Sequence, residues 1–150
     1  MKQGPERELV SRYLDRAAAS GKPLGLTGFS VIELTESRAG SAASRKTEEA
    51  RALRDQVSGS VRLVTLDEHG ATMGSEDLAR RVGRWRDDGA QTLTFVIGGP
   101  DGLAPDFVKQ ADLSLSFSPL TWPHQLVRIM LAEQLYRATT ILSGHPYHRA

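Results

Sequence analysis

Hydrophobic and polar positions follow two different periods along the chain. Apolar residues three or four positions apart predict amphipathic helices at residues 5–20, 44–57, 75–89, 105–111 and 123–142. Short runs of β-branched and apolar residues lie between them and predict strands at residues 29–35, 61–67, 92–99 and 113–118. Strands separated by single helices are typical of a parallel sheet with helices on both faces. The pattern therefore predicts one α/β domain over residues 1–150.

Composition narrows the classes of function. The 150 residues are 39% hydrophobic and 25% charged and include no cysteine, which excludes disulfides, thiolate metal sites and cysteine nucleophiles. No apolar run reaches the roughly 18 residues of a membrane span, and the N-terminus lacks the apolar core of a secretory signal. We therefore expect a cytoplasmic protein. The net charge of +1 is far from the basic excess of typical nucleic-acid-binding proteins.

Three of the predicted strands end in unusual loops, "TLDEHG", "IGGPDGL" and "FSPLTWPH". Ligands of open parallel sheets bind beside the carboxyl ends of the strands, so these loops are candidate binding segments. The glycines of "IGGPDG" let the backbone approach a ligand closely, yet the same residues favour an ordinary turn. The two prolines of "FSPLTWPH" stiffen that loop, in which Thr121 could cap the next helix and Trp122 could simply cover apolar surface.

The chain closes with "HPYHRA", in a segment that is comparatively basic. From Leu120 onward there are three arginines, one acid and three of the four histidines. The two histidines of this segment could hold a metal, but Pro146 favours an extended segment over a helix. A zinc site needs three or four ligands and His124 is the one obvious third, so a metal site is disfavoured. No G-x-S-x-G motif supports a serine hydrolase. A cluster for an anionic or hydrogen-bonding substrate and an unstructured tail both stay open.

Taken together, "FVIGGPDGL", "LSLSFSPLTWPHQLVRIMLAEQLYRA" and "HPYHR" resemble a known family. These segments are similar to the bacterial large-subunit ribosomal RNA pseudouridine N3-methyltransferases, small members of the SPOUT or α/β-knot class. The resemblance runs from Val61 to Arg149 at close spacing and more loosely back to Gly4. It implies S-adenosylmethionine as methyl donor, a C-terminal part threaded through a knot, and a homodimer that acts on the assembled ribosome.

The resemblance also implies particular site residues. By motif position the donor would contact Leu66, Gly99, Ser118, Pro119, Leu120, Thr121, Trp122 and Pro123. The C-terminal helix and tail of one subunit would meet the donor pocket of the other and bind the acceptor nucleotide through Arg128, His145, Tyr147, His148 and Arg149. Either His148 or His124 would remove the acidic N3 proton, and Arg149 would stabilise the resulting anion. Neither a metal nor a membrane is expected to take part.

Two departures from the family pattern bear on these expectations. Family members usually have leucine near the position of Trp122, so the bulkier ring would reshape the donor pocket. They also usually start with an apolar strand before the loop that "KQGPEREL" matches, so we expect that first strand to be absent here. The alternatives are a SPOUT methyltransferase for another ribosomal or transfer RNA site, a non-catalytic module that binds an adenosine ligand, and a metal hydrolase.

Overall fold

The computed structural model describes residues 4–57 and 61–149, which form two compact units. The first, called the helical unit, draws its residues from Met1–Ile32, Met73–Gly89 and Gln125–Ala150. The second, called the sheet unit, draws its residues from Glu33–Thr72 and Ala90–His124. Each unit therefore combines segments that are far apart in the sequence. The interpretation of residues 1–150 as a single domain stays a prediction.

The helices follow the sequence pattern closely. Within the described residues the α-helices are α1 (Pro5–Gly21), α2 (Ala42–Gln56), α3 (Ser75–Asp87), α4 (Pro105–Lys109) and α5 (His124–Ser143). The strands there are β1 (Val61–Ala71), β2 (Thr92–Ile97) and β3 (Leu113–Leu115). Every predicted helix is confirmed to within two residues at each end. In the same part of the chain, no helix is both long enough and apolar enough to cross a membrane.

The sheet unit is built around β1. The strand order is β2-β1-β3 and both pairings are parallel, which confirms the predicted parallel α/β architecture. On one face, Ala50 of α2 and Phe107 of α4 pack with Leu63 and Val96 in a hydrophobic core. On the other face Val64 is fully buried as well. The central strand is therefore enclosed on both sides, as its run of apolar residues requires.

The helical unit is held by close packing of its helices. Pro5 occupies the first turn of α1, where its missing N–H costs no hydrogen bond. The same helix buries Val10 and Ala17, which are two turns apart and so lie on one stripe. Helices α3 and α5 approach closely at Gly83, where an added Cβ would lie 3.0 Å from Cδ2 of Leu142. This packing gives the C-terminal helix a fixed base from which the chain end continues.

The strand predicted at residues 29–35 is wrong. This segment is neither helix nor strand in the structure. Val31 and Ile32 are adjacent, so they would point to opposite faces of a strand, and both are exposed, at 49% and 65%. The segment therefore has no buried face to fix it in a sheet. The other strands are present, but their ends differ from the predicted ones. Strand β1 continues to Ala71, while β2 and β3 stop before their glycine-rich and proline-rich loops.

Candidate functional site

The predicted donor segments leave the same end of the sheet. Leu66 pairs with Ile97 of β2 on one side and with Leu115 of β3 on the other. Gly99 follows Ile97 by two residues and Ser118 follows Leu115 by three. Since the strands are parallel, all three segments reach the carboxyl edge where ligands of such sheets bind; the first is the extended end of β1 and the other two are loops. The sheet unit thus brings Leu66, which lies within β1, and the loops that contain Gly99, Ser118, Pro119, Leu120, Thr121, Trp122 and Pro123 to one edge.

The extended end of β1, which is the first of these segments, is tied to the third. The pairing of β1 with β3 shifts register after Leu66, so that Ala71 also faces Leu115. The Ser116 backbone N–H donates to the Ala71 carbonyl at 2.8 Å. An added Cβ on Gly70 would lie 2.6 Å from the Ser114 carbonyl oxygen, so glycine is what allows this approach. The sequence pattern did not predict this register shift.

Side-chain hydroxyls then set the shape of the third loop. Ser116 Oγ donates to the Glu68 carbonyl at 3.1 Å and accepts from the Ser118 N–H at the same distance. Ser118 Oγ accepts from the Leu120 N–H at 2.9 Å. Thr121 Oγ1 donates to Glu68 Oε2 at 3.2 Å. The predicted helix cap is wrong, because α5 begins at His124 and Thr121 lies two residues before the capping position. These bonds hold a loop whose apolar side chains Leu120 and Trp122 stay exposed.

The segment "GGPDG" forms a tight turn. The Gly102 N–H donates to the Gly99 carbonyl at 2.9 Å, and Gly102 has a φ of 83°, a conformation that favours glycine. Gly98 is equally constrained, because an added Cβ would lie 2.9 Å from the Gly102 carbonyl carbon. The turn predicted from composition is confirmed, and it stands at the position that the family pattern gives to a donor contact. The prediction of a turn and the prediction of a donor contact are therefore compatible for this segment.

Helix α2 contacts the turn through two of its side chains. Arg45 Nε donates to Asp101 Oδ2 at 2.7 Å, and Nη2 donates to Oδ1 at 3.1 Å. These hydrogen bonds from Arg45 lower the pKa of Asp101, so its carboxylate is ionised at neutral pH. One helical turn further on, Glu49 lies against Gly99, where an added Cβ would be 3.1 Å from Glu49 Oε1. The Ser37 N–H donates to the other Glu49 oxygen at 2.9 Å.

The C-terminal tail folds back onto its own helix within the helical unit. Gly144 has a φ of 74°, and the His145 N–H donates to the Thr140 carbonyl at 2.9 Å, which ends α5 and turns the chain. The Tyr147 ring lies 4.6 Å from the Tyr136 ring, measured between centroids. Burial raises the pKa of Tyr147, and the nearby Glu133 carboxylate raises it further. The alternative of an unstructured tail is therefore wrong for residues 145–148.

His148 is held from both ring nitrogens. Arg137 Nη1 lies 3.0 Å from Nδ1 of His148, and Glu76 Oε1 lies 3.3 Å from Nε2. Because arginine can only donate, Nδ1 must accept, and the proton of the neutral ring stands on Nε2 and points at Glu76. Arg137 also pairs with Glu133 at 2.7 Å and lies 4.9 Å above the Tyr147 ring centroid. Arg137 therefore links the tail to α5.

The remaining predicted residues occupy different places. His124 is the first residue of α5 and belongs to the sheet unit, whereas Arg128, His145, Tyr147, His148 and Arg149 belong to the helical unit. Burial lowers the pKa of Arg128, while Arg149 is exposed. The predicted donor residues and the tail residues thus form two groups, one in each unit. Among the residues that the structure describes, no three His, Cys, Asp or Glu side chains could hold a metal ion.

Four residues important to these arrangements were not predicted from the sequence. They are Arg45, Glu76, Glu133 and Arg137. The spacing of Glu133 and Arg137, four residues apart on a helix, was a readable signal for an ion pair. Arg45 and Asp101 are 56 positions apart, and Glu76 and His148 are 72 apart. No local pattern could have indicated those pairs.

Comparison with known proteins gives consistent results. The family described as "Predicted SPOUT methyltransferase" matches residues 1–148. A protein of Brucella anthropi called ribosomal RNA large subunit methyltransferase H is 54% identical over 150 residues, which is all of this chain and 94% of the relative. Proteins of the same name from Bradyrhizobium diazoefficiens and Rhodopseudomonas palustris are 53% and 55% identical over the same shares of both chains.

Proposed function

Because the chain belongs to the SPOUT methyltransferase family, we propose that it transfers a methyl group from S-adenosylmethionine to N3 of a pseudouridine in large-subunit ribosomal RNA. The observation that carries the proposal is the full-length similarity to relatives named for methylation of that RNA. The convergence of the three predicted donor segments at one sheet edge supports it independently. The assembled ribosome is the proposed substrate, which puts the activity in the cytoplasm. The knot implied by the family stays a prediction.

The side chains around the glycine turn fit this donor chemically. S-adenosylmethionine carries an adenine ring, ribose hydroxyls and positive charge on sulfur and on its amino group. The Glu49 carboxylate beside Gly99 can attract positive charge or accept hydroxyl hydrogen bonds. Leu120 and Trp122, 65% and 40% exposed, offer apolar surface suited to a flat ring. Leu66, Gly99 and residues 118–123 would hold the donor, which supplies an electrophilic methyl group when bound.

The chemistry asks the protein to position the acceptor and to remove one proton. Holding acceptor and donor about 3–3.5 Å apart would supply much of the rate. The N3–H of the base must lose its proton before or during transfer. His148 is poorly placed to take it, because its acceptor nitrogen Nδ1 is already occupied by the hydrogen bond from Arg137. We therefore assign the general base to His124 and keep His148 as a substrate-binding residue.

The tail and the arginines have the complementary role in this proposal. Arg149 is exposed, so its guanidinium can approach the anion left after N3 loses its proton or a phosphate of the RNA. Arg128, His145 and Tyr147 would complete the acceptor site. In the proposed homodimer these groups act at the donor loops of the second subunit. The exposed side chains of Leu120 and Trp122 give the third loop an apolar surface that a second copy could cover.

The proposal is tested by measuring donor binding and methyl transfer on the same variants. We expect Arg149→Ala to bind S-adenosylmethionine as the wild type does and to transfer methyl to ribosomes about 100-fold more slowly, because an anion-stabilising group is lost. Arg84→Ala, an exposed arginine on α3, is the matched control and should keep full activity. If the wild type instead binds the donor without transferring methyl, and Arg149→Ala behaves in the same way, that result would identify a non-catalytic binding module.

Mixed dimers test the proposed sharing of the site between subunits. A donor-loop variant, Gly99→Val, and the tail variant Arg149→Ala should each be weakly active alone. When the two are refolded together, each mixed dimer would combine an intact donor loop with an intact partner tail. We expect partial recovery of methyl transfer in the mixture. Activity no higher than the average of the two separate variants would show that each subunit works with its own tail.

A further inference from the structure

The glycine turn is anchored to α2 through one of its own side chains. In the turn from Gly99 to Gly102, Asp101 is partly buried, with 23% of its side chain exposed, while Pro100 is exposed. Both Asp101 carboxylate oxygens accept from Arg45, at 2.7 Å and 3.1 Å. A two-point pair of this kind fixes direction as well as distance, because the guanidinium and carboxylate must lie nearly in one plane. Asp101 therefore holds the turn in one orientation.

The other end of this connection is itself well fixed. Ser41 caps α2, its Oγ accepting from the Ser44 N–H at 3.1 Å, and the Arg45 N–H donates to the Ser41 carbonyl at 2.9 Å. Arg45 thus stands in the first turns of a capped helix. Its remaining nitrogen, Nη1, donates to the Ala39 carbonyl at 3.1 Å. The guanidinium is therefore held by the segment before α2 as well as by the turn.

The connection lies beside the predicted donor contact. Gly99 is hydrogen-bonded across the turn to Gly102, so a rotation of the turn about Asp101 would move the Gly99 backbone. Glu49, which lies on the same face of α2 as Arg45, also lies against Gly99. Any loss of the Arg45–Asp101 pair would therefore change the spacing between the Gly99 backbone and the Glu49 carboxylate.

We propose that Arg45 is a positioning residue for the methyl donor, acting through Asp101 to hold Gly99 where it contacts S-adenosylmethionine. This inference rests on the proposed function, because it takes the glycine turn as part of the donor site. It adds α2 to that site, which the family motifs do not include. Loss of the Arg45–Asp101 pair should weaken donor binding, because a turn that is free to move must be ordered when the donor binds.

A double-mutant cycle tests this role. The dissociation constant for S-adenosylmethionine is measured by calorimetry for the wild type, Arg45→Ala, Asp101→Ala and the double variant. Each single change should raise the constant by about fivefold, which is what a partly exposed pair with good geometry contributes. The double variant should bind no more weakly than either single variant, because both remove the same connection. Arg51→Ala, an exposed arginine on α2, is the control and should bind normally.

Further readouts separate positioning from folding. Thermal unfolding of each variant shows whether the fold is intact, and Arg45→Lys provides a milder change that keeps the charge but loses the two-point geometry. Arg45→Lys should bind the donor with intermediate affinity. Equal binding by Arg45→Ala and the wild type, or effects of Arg45→Ala and Asp101→Ala that add fully in the double variant, would overturn the inference. Absence of donor binding by the wild type would instead contradict the proposed function and remove the premise with it.

Discussion

At the scale of single residues, Gly70 is where the donor edge of the sheet is most tightly constrained. The backbone of β3 lies so close that an added Cβ would meet Ser114 O at 2.6 Å and Leu115 N at 2.9 Å. These atoms belong to the backbone of a paired strand and cannot move aside without breaking the pairing. A glycine at this place is therefore required by packing, independently of any role in binding.

Gly70→Ala should lower the free energy of unfolding by about 1–3 kcal/mol, because the extra methyl group must push β1 and β3 apart. Gly40→Ala is the matched control, since nothing lies within 4 Å of its Cβ position and its φ is not positive. Chemical denaturation of the two variants measures the difference. Equal stability of Gly70→Ala and Gly40→Ala would show that the strands do not meet at this spacing.

The protonation of His148 is a second consequence at this scale. Nδ1 accepts from Arg137, so the neutral ring carries its hydrogen on Nε2, where it faces Glu76. Nitrogen-15 NMR of labelled histidine should show this tautomer at neutral pH. In the Arg137→Ala variant the ring should no longer favour this tautomer, because Nδ1 would lose its hydrogen-bond donor. A wild-type spectrum with the hydrogen on Nδ1 would contradict both the contact with Arg137 and the argument against His148 as general base.

At the scale of elements, the attachment of the tail to α5 depends on Arg137. Its guanidinium pairs with Glu133, donates to His148 and lies over the Tyr147 ring. Because these three contacts share the Arg137 side chain, each one helps to fix the others. Removing that side chain should therefore loosen the whole tail.

Arg137→Ala should lower the free energy of unfolding by about 2 kcal/mol, since Glu133 would be left without its charged partner. It should also speed amide hydrogen exchange at Tyr147, because the tail would lose its attachment to α5. Arg84→Ala, an exposed arginine on α3, is the control for the loss of one surface charge. Unchanged exchange at Tyr147 in Arg137→Ala would show that other contacts hold the tail.

The helices and strands also show what the sequence could and could not predict. Helices were placed to within two residues, because apolar spacing and terminal prolines report directly on helical structure. The strand at 29–35 was wrong, since β-branched and apolar residues alone do not show whether a sheet edge is there to receive them. The register shift in β1 was also missed. It depends on the closeness of Gly70 to a strand some 40 residues later, a long-range contact that local patterns do not carry.

At the scale of the whole molecule, the candidate site was predictable in parts. Strand alternation implied that loops at the carboxyl ends of parallel strands would share one edge, and the pairing of Leu66 with both neighbours agrees. The tail residues were singled out by their chemistry, but their contacts were not. The partners of His148 are Glu76 and Arg137, which its local sequence does not indicate. The roles of these residues in catalysis stay predictions.

The central claim is that this chain methylates a pseudouridine of large-subunit ribosomal RNA. The most direct test is transfer of labelled methyl from S-adenosylmethionine to unmethylated ribosomes, beside a sample with uridine in place of the pseudouridine. We predict label in the first sample alone, recovered as N3-methylpseudouridine after digestion, because discrimination would depend on the additional N1–H of pseudouridine. Equal label in both samples would contradict the proposed specificity. Label in neither, with donor binding intact, would contradict the claim itself.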